Sequence, residues 1–319
     1  MSRLDKIGII GIGSYLPATY MTAKDISLAT GIPEDVIDLK FGVSRKPIPG
    51  PGDTTSYMGL QAAKNALEMA KVSPLDLDLV IWNGAQHKDY PCWLASLKVA
   101  YDLGAQNAWG FDMEAMCGSM MAGMETAKSL MRNNDDLRTV LLVSGYRNSD
   151  LISLKEPDTS FMFDIGAGGA AMVLKKGADR NILLESAFKG DGSFSEGCVV
   201  PVGGTKKWPP VAEDLDHFHF KIVEDPKEFK TRLGEKTMPN FYGVIRQSLK
   251  KSGYTEKDID YLAILHFKKS AHLAVLDELG LKESQTTYLQ DYGHLGQNDQ
   301  VLSLEIGLRE GKIRDGSLI

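Results

Sequence analysis

Residues 62–83 read AAKNALEMAKVSPLDLDLVIWN, and residues 248–267 read SLKKSGYTEKDIDYLAILHF. Laid over one another, both give an amphipathic helix, a short turn and a strand led by D-x-D. Asp76 falls on Asp258, Asp78 on Asp260 and Leu67 on Leu249, a constant offset of 182 residues (258 − 76). A repeat of this length governs the fold and is read first. In each copy the strand leads through a linker to a second strand, then to a Gly-containing junction and a helix. The junction is FDMEAMCGSMMAG from Phe111 in the first copy and LQDYGHLGQNDQVLSLEIGLREG from Leu289 in the second.

Alternating strands and helices predict an α/β architecture with mainly parallel sheets. Two such units in tandem predict two pseudo-symmetric βαβαβ halves, stacked as α/β/α/β/α layers. The seam falls in KKGADR, Lys175 to Arg180, giving halves 1–177 and 178–319. After its junction the first half continues with two more strands, TVLLVSGY and GGAAMVLKK. The second half reaches GKIRDGSLI where its first matching strand would begin, so its last strands are expected beyond Ile319.

The composition, 43% apolar and 24% charged over 319 residues, is that of a globular protein with room for two packed halves. A net charge of −6 with no Lys/Arg block argues against nucleic acid as a partner. The longest apolar runs are strand-length, which argues against a membrane span. MSRLDKIGIIGIGSYLP has no leader-like cleavage site. Cys92, Cys117 and Cys198 form neither an even framework nor a CxxC pair, as free thiols in a reducing cytoplasm would.

GIIGIGSYLP lacks the third glycine of a dinucleotide loop, and Pro17 breaks the helix a pyrophosphate needs. His217 and His219 form an H-x-H pair with no carboxylate or cysteine to complete a metal set, and DLDHFHFK reads as an exposed strand, so no metal is expected. Cys92 and Cys198 read as small buried hydrophobes. Cys117 differs by its position. At the first turn of a helix, unpaired N–H groups and the helix partial charge suit a nucleophilic sulfur. His266, at the end of the strand YLAILHF, and His294, in the junction matching that of Cys117, map to the same strand-end face. Any one of the three has an ordinary structural reading; their coincidence favours a site. Met116 puts apolar bulk beside the nucleophile, and Met124 points to core filling.

At these residues the chain resembles the thiolase-fold condensing enzymes, β-ketoacyl-[acyl-carrier-protein] synthase III type. The likeness runs from IIGIGSYLP through VIDLKFGVSRK, FDMEAMCGSMMAG, FDIGAGGAAMVL and ILHFKKSAH to YGHLGQNDQVLSLEIGLREGKI. It implies an acyltransferase with Cys117 as acyl-accepting nucleophile and His266 as a triad histidine. The family's Asn position falls on His294, with Asn298 as the alternative if the local match slips. The implied reaction is decarboxylative condensation of an acyl-Cys with a malonyl-type thioester, without metal or redox cofactor. Substrates would be thioesters of coenzyme A, of acyl carrier protein, or of both. Rival readings are acyl transfer without decarboxylation (hydroxymethylglutaryl-type, or to an alcohol or amine) and a silent acyl-binding paralogue.

The family's adenine-stacking aromatic falls on Val36 and its neighbouring Arg on Lys40. Lys268 and Lys269 stand where a carrier or nucleotide phosphate would be met. Tyr90 matches the loop that reaches into the partner's acyl pocket, so the resemblance implies a homodimer, and the bulk of Met116 beside the nucleophile then points to a short acyl pocket. The Gly-rich loop that completes the family's oxyanion hole would lie beyond Ile319.

Overall fold

The computed structural model describes residues 6–319; residues 1–5, the start of the stretch read as having no leader-like cleavage site, lie outside the described residues. In chain order the strands are β1 (Ile7–Tyr15), β2 (Thr19–Thr22), β3 (Arg45–Ile48), β4 (Leu79–Gly84), β5 (Trp109–Glu114), β6 (Thr139–Tyr146), β7 (Gly168–Lys176), β8 (Cys198–Val199) and β9 (Lys221–Ile222). The helices are α1 (Ala23–Thr30), α2 (Glu34–Val36, running into a π-turn at Ile37–Phe41), α3 (Thr55–Ala70), α4 (Ala95–Leu103), α5 (Ser119–Asn133), α6 (Pro226–Ser252), α7 (Lys269–Leu279) and α8 (Asp299–Arg309).

The central sheet runs β1-β7-β6-β4-β5. β4 pairs in parallel with β5 and β6, whereas β7 is antiparallel to both β6 and β1. All six residues of β4 are buried, as a parallel strand covered on both faces requires. One face packs Val80, Trp82 and Leu141 against α3 and α4. The other packs Ile81, Leu142 and Met172 against Met120, Ala127 and Met131 of α5, with Val301 of α8 in the same cluster. A helix of the second half thus completes the core of the first.

The repeat has a structural counterpart. Asp76 and Asp258 each close a 3-10 turn through a capping box with Ser73 or Thr255. Two residues on, the Asp78 carboxylate accepts from the backbone N–H groups of Arg138 and Thr139, both at 2.8 Å, at the start of β6. The Asp260 carboxylate accepts from the Leu318 N–H at 2.8 Å. The D-x-D pattern ties the start of β6 to the turn in the first half and the Leu318 backbone to it in the second.

The second half departs from expectation at YLAILHF. This segment is extended but not a regular strand: its one bridge joins Leu262 to Thr286, while Asp260 and Tyr261 donate to the Leu318 carbonyl. A strand needs a continuing ladder, and here the ladder stops after one rung. Its residues nevertheless sit as strand residues would, with Tyr261 and Ile264 buried. Residues Ala212–His217, at the H-x-H pair, form a 3-10 turn instead of a strand. There His217 meets Lys221 and His219 faces Glu156.

α3 lies unusually close to the sheet. A Cβ at Gly145 would collide with the Thr55 carbonyl, because β6 there has no room between its backbone and the start of α3. Gly145→Ala is expected to destabilise the protein by about 1–3 kcal/mol through overpacking. Urea unfolding checks this, and an unchanged midpoint would show that α3 is free to move off the sheet.

Candidate active site

β5 ends at Glu114, and the chain turns sharply through Met116–Gly118, a 3-10 turn that feeds α5. Cys117 therefore sits two residues ahead of the α-helix. Met116 adopts φ +50°, a left-handed conformation that costs a non-glycine residue on the order of 1 kcal/mol or more. Ser119 holds the turn in place: its hydroxyl donates to the Gly84 carbonyl at 2.6 Å and accepts from the Ala115 N–H at 2.7 Å. A nucleophile on a tight strand-to-helix turn is thereby fixed to β4. Nothing lies within 4 Å of a Cβ placed at Gly118, so the approach is open. The Met116 side chain is 48% exposed beside the nucleophile, at the left-handed position of the turn. Met120 is fully buried and Met124 packs on the same core, as core filling predicts.

The second half delivers His294. Its backbone is held as a strand rung, with His294 N donating to the Asp164 carbonyl and Gly166 N to the His294 carbonyl, both at 2.9 Å. Gly293, just before it, has φ +64°, and a Cβ there would strike the Asp164 carbonyl. His294 Nε2 lies 3.1 Å from Cys117 Sγ, and its Nδ1 lies 2.6 Å from Asp299 Oδ2. Burial opposes protonation of this imidazole, but the Asp299 carboxylate and the adjacent sulfur outweigh it and hold His294 well above the ordinary histidine range.

Asp299 is fully buried at the first position of α8, where unpaired N–H groups favour negative charge. Besides His294 it accepts from the backbone N–H groups of His266 and Leu295, each at 2.7 Å. The sequence reading missed it. The signal was present, an acidic residue opening a helix five positions after a candidate histidine.

His266 is buried, and neither ring nitrogen has a hydrogen-bond partner. Its ring stacks 5.0 Å from that of Tyr288, and Nε2 lies 3.5 Å from Asp164 Oδ2. Burial pulls its pKa down to about 3, so it is a neutral imidazole across the working range. The structure thus brings Cys117, His294 and His266 into one region, with His294 bonded to the sulfur and His266 beside Asp164. Asn298 is elsewhere engaged: its amide donates to the Gly168 carbonyl at 3.0 Å, inside the core.

The outlying residues divide. Lys40 is exposed on the π-turn, and Lys268 is exposed just before α7. Lys269 is engaged with Glu283 and lies over the Tyr288 ring. A Cβ at Gly42 would lie 3.2 Å from the Lys269 N, so the π-turn and the start of α7 are neighbours. Tyr90 is 65% exposed, in edge contact with Trp93. Cys92 is exposed instead of buried, on a residue with φ +52° in the same loop. Cys198 is half-buried, and burial pushes its thiol up to about 11.

Asp164 is enclosed by the site. Burial is the largest influence on its carboxyl and raises it from the ordinary 3.8 to about 6, against the pull of His294 and Lys46. Lys46 is itself buried, with Nζ donating to the Phe163 and Ile165 carbonyls at 2.7 and 2.9 Å on either side of Asp164. Between pH 3.8 and 6 the native protein holds a proton that the unfolded chain has released. Stability therefore falls as pH rises through this window, by up to about 3 kcal/mol. Asp164→Asn is expected to raise the denaturation midpoint at pH 7.5 and to leave it nearly unchanged at pH 4. A lowered midpoint at pH 7.5 would show that the carboxylate is instead compensated.

Comparison with known proteins agrees with this geometry. The family models for 3-oxoacyl-[acyl-carrier-protein] synthase III match residues 111–192, and for its C-terminal region residues 249–319. The beta-ketoacyl-[acyl-carrier-protein] synthase III of Allorhizobium ampelinum is 25% identical over 97% of this chain and 92% of the relative. That of Caldanaerobacter subterraneus is 27% identical over 98% and 92%. Among solved structures, the synthase III of Aquifex aeolicus superposes with a TM-score of 0.83 at 22% identity, covering 98% of this chain and 94% of that one. The priming β-ketosynthase of the R1128 polyketide pathway gives 0.82 at 25% identity, covering 98% and 90%. Over almost its whole length the chain is similar to the β-ketoacyl-[acyl-carrier-protein] synthase III enzymes, whose thiolase-like α/β fold it shares.

Proposed function

We propose that the protein takes an acyl group from a thioester onto Cys117 and condenses it with a malonyl-type thioester to give a β-ketoacyl thioester. The observation that carries this reading is the 3.1 Å contact between Cys117 Sγ and His294 Nε2, with Asp299 behind the imidazole. A nucleophile within reach of a base, itself oriented by a third group, is the arrangement that activates a thiol. The Sγ proton rests on His294 Nε2, whose imidazolium the Asp299 carboxylate holds, as sulfur attacks the acyl thioester. When the tetrahedral adduct collapses, the carrier's C–S bond breaks and the departing thiolate takes that proton back.

In the second half-reaction the malonyl-type thioester loses carbon dioxide, and the electron pair of the broken C–C bond delocalises onto the thioester oxygen. Neutral His266, whose buried ring nitrogens have no partner, supplies a hydrogen bond to that oxygen beside His294. The enolate carbon attacks the acyl carbonyl, the acyl C–S bond breaks, and Cys117 leaves as thiolate. No step asks for a metal or a redox cofactor.

Acyl-coenzyme A and acyl carrier protein are the proposed carriers. Lys40 and Lys268, both exposed, support a phosphate-bearing or acidic carrier. A homodimer is supported by the unpaired outer edge of β5, beside which Leu97, Tyr101 and Trp109 are exposed. No helix among the described residues is long and apolar enough to cross a membrane. Free cysteines fit a reducing cytoplasm.

Intact-mass measurement with a panel of acyl thioesters tests the first half-reaction. Wild type is expected to gain one acyl group and Cys117→Ala none; no gain with any donor would overturn the reading. His294→Ala is expected to slow acylation by about 100-fold or more, measured as the rate of that mass gain. An unchanged rate would mean that the sulfur needs no base.

A further inference from the structure

Tyr146 ends β6 beside the site and has no part in the steps above. Its backbone is a ladder residue, paired with Gly168 of β7. Its side chain is 3% exposed, and its ring centroid lies 6.2 Å from that of His294. Gly296, between His294 and Asp299, makes room for the ring. Its φ is +63°, and a Cβ there would come within 2.5 Å of Tyr146 Cε2. The ring is thus held against the segment that carries His294. The hydroxyls of Tyr15, Tyr261 and Tyr288 are bonded to Asp53, to the Ser303 carbonyl and to the Phe267 carbonyl. That of Tyr146 has no hydrogen-bond partner among the described residues. A buried hydroxyl left unpaired is destabilising and calls for an explanation, here a ligand.

The surroundings narrow the ligand. Burial is the main reason that this phenol stays protonated well above the ordinary tyrosine range, and the charges of Cys117, Asp299 and Asp164 add to it. The hydroxyl is a neutral donor within the field of the sulfur and of two buried carboxylates, which disfavours an anionic acceptor. An apolar wall adjoins it: Ala85 and Ile165 pack with the ring, and Ile152 and Met162 pack on that cluster. The acyl carbonyl oxygen has other donors, because α5 begins without a side-chain cap and its first-turn N–H groups are left for that oxygen. What the phenol fits is a further neutral oxygen, close to the thioester, on an otherwise apolar acyl group.

We propose that Tyr146 is a specificity-determining residue: its hydroxyl donates to a hydroxyl or keto oxygen on the acyl group carried by Cys117, so that the protein prefers oxygen-substituted acyl thioesters. The inference rests on the acyl-Cys117 reading above and names its acyl class. An unsubstituted chain leaves the phenol unpaired in the loaded site. A site built to bond a substrate oxygen discriminates against the analogue that lacks it.

The test measures the rate of acyl mass gain at Cys117 from N-acetylcysteamine thioesters of butyrate, 2-hydroxybutyrate, 3-hydroxybutyrate (each enantiomer) and 3-oxobutyrate. Wild type is expected to load at least one oxygen-substituted group about 10-fold faster than butyryl, the worth of one net hydrogen bond. Tyr146→Phe keeps the ring against Gly296 and removes only the hydroxyl, and it is expected to bring that ratio to about 1. Circular dichroism confirms that the variant folds. A wild type without the preference, or a preference kept in Tyr146→Phe, would overturn the proposal and leave acyl-Cys117 standing. The second result includes a variant slowed equally with every donor, which would assign the phenol to the carbonyl that all donors share. Failure to load any acyl group would overturn both readings.

Discussion

One buried carboxylate organises the functional end of this molecule. Asp299 accepts a side-chain hydrogen bond from His294 and backbone bonds from His266 and Leu295, all at 2.6–2.7 Å. Three charge-assisted bonds onto one group fix the relative position of two segments that arrive from different parts of the second half. Fully enclosed, the anion would be severely destabilising without them. The arrangement at Asp299 is thus structural and chemical at once: the bonds that make its burial tolerable are those that aim His294 at the sulfur.

The other side of that contact is set by the first half. The left-handed Met116 and the two bonds made by Ser119 lock Cys117 to the end of β4 and β5. The halves meet where His294 forms a strand rung against Asp164 and Gly166, leading into β7, and where α8 joins α5 in the core beneath the sheet. The sulfur–imidazole distance is therefore fixed by packed elements on both sides, and no mobile loop has to close to bring the pair together.

Much of this was legible in the sequence because it is written as repetition. The 182-residue offset exposed the pseudo-symmetry, and in both halves the second Asp of the D-x-D pair holds a distant backbone N–H, at the start of β6 in the first half and at Leu318 in the second. The positions of Cys117 and His294 followed from matching junctions. The failures have identifiable causes. Asp299 and Asp164 escaped notice because a buried carboxylate looks like any surface acid until the partners that offset its burial are known. Asn298 was attractive by residue type, yet its amide is committed to Gly168. Cys92 read as buried by its residue type, but it sits at positive φ in a loop that leaves it exposed. YLAILHF has strand composition, and strand identity depends on pairing partners that composition does not specify.

The central claim is that His294, backed by Asp299, makes Cys117 the reactive sulfur of the three. Site-resolved alkylation by iodoacetamide at neutral pH tests it most directly, with exposed Cys92 as the internal reference. The expected result is that half-buried Cys117 reacts faster than Cys92 in the wild type and loses that advantage in His294→Ala. Faster reaction at Cys92 in the wild type, or a Cys117 rate indifferent to His294, would contradict the claim.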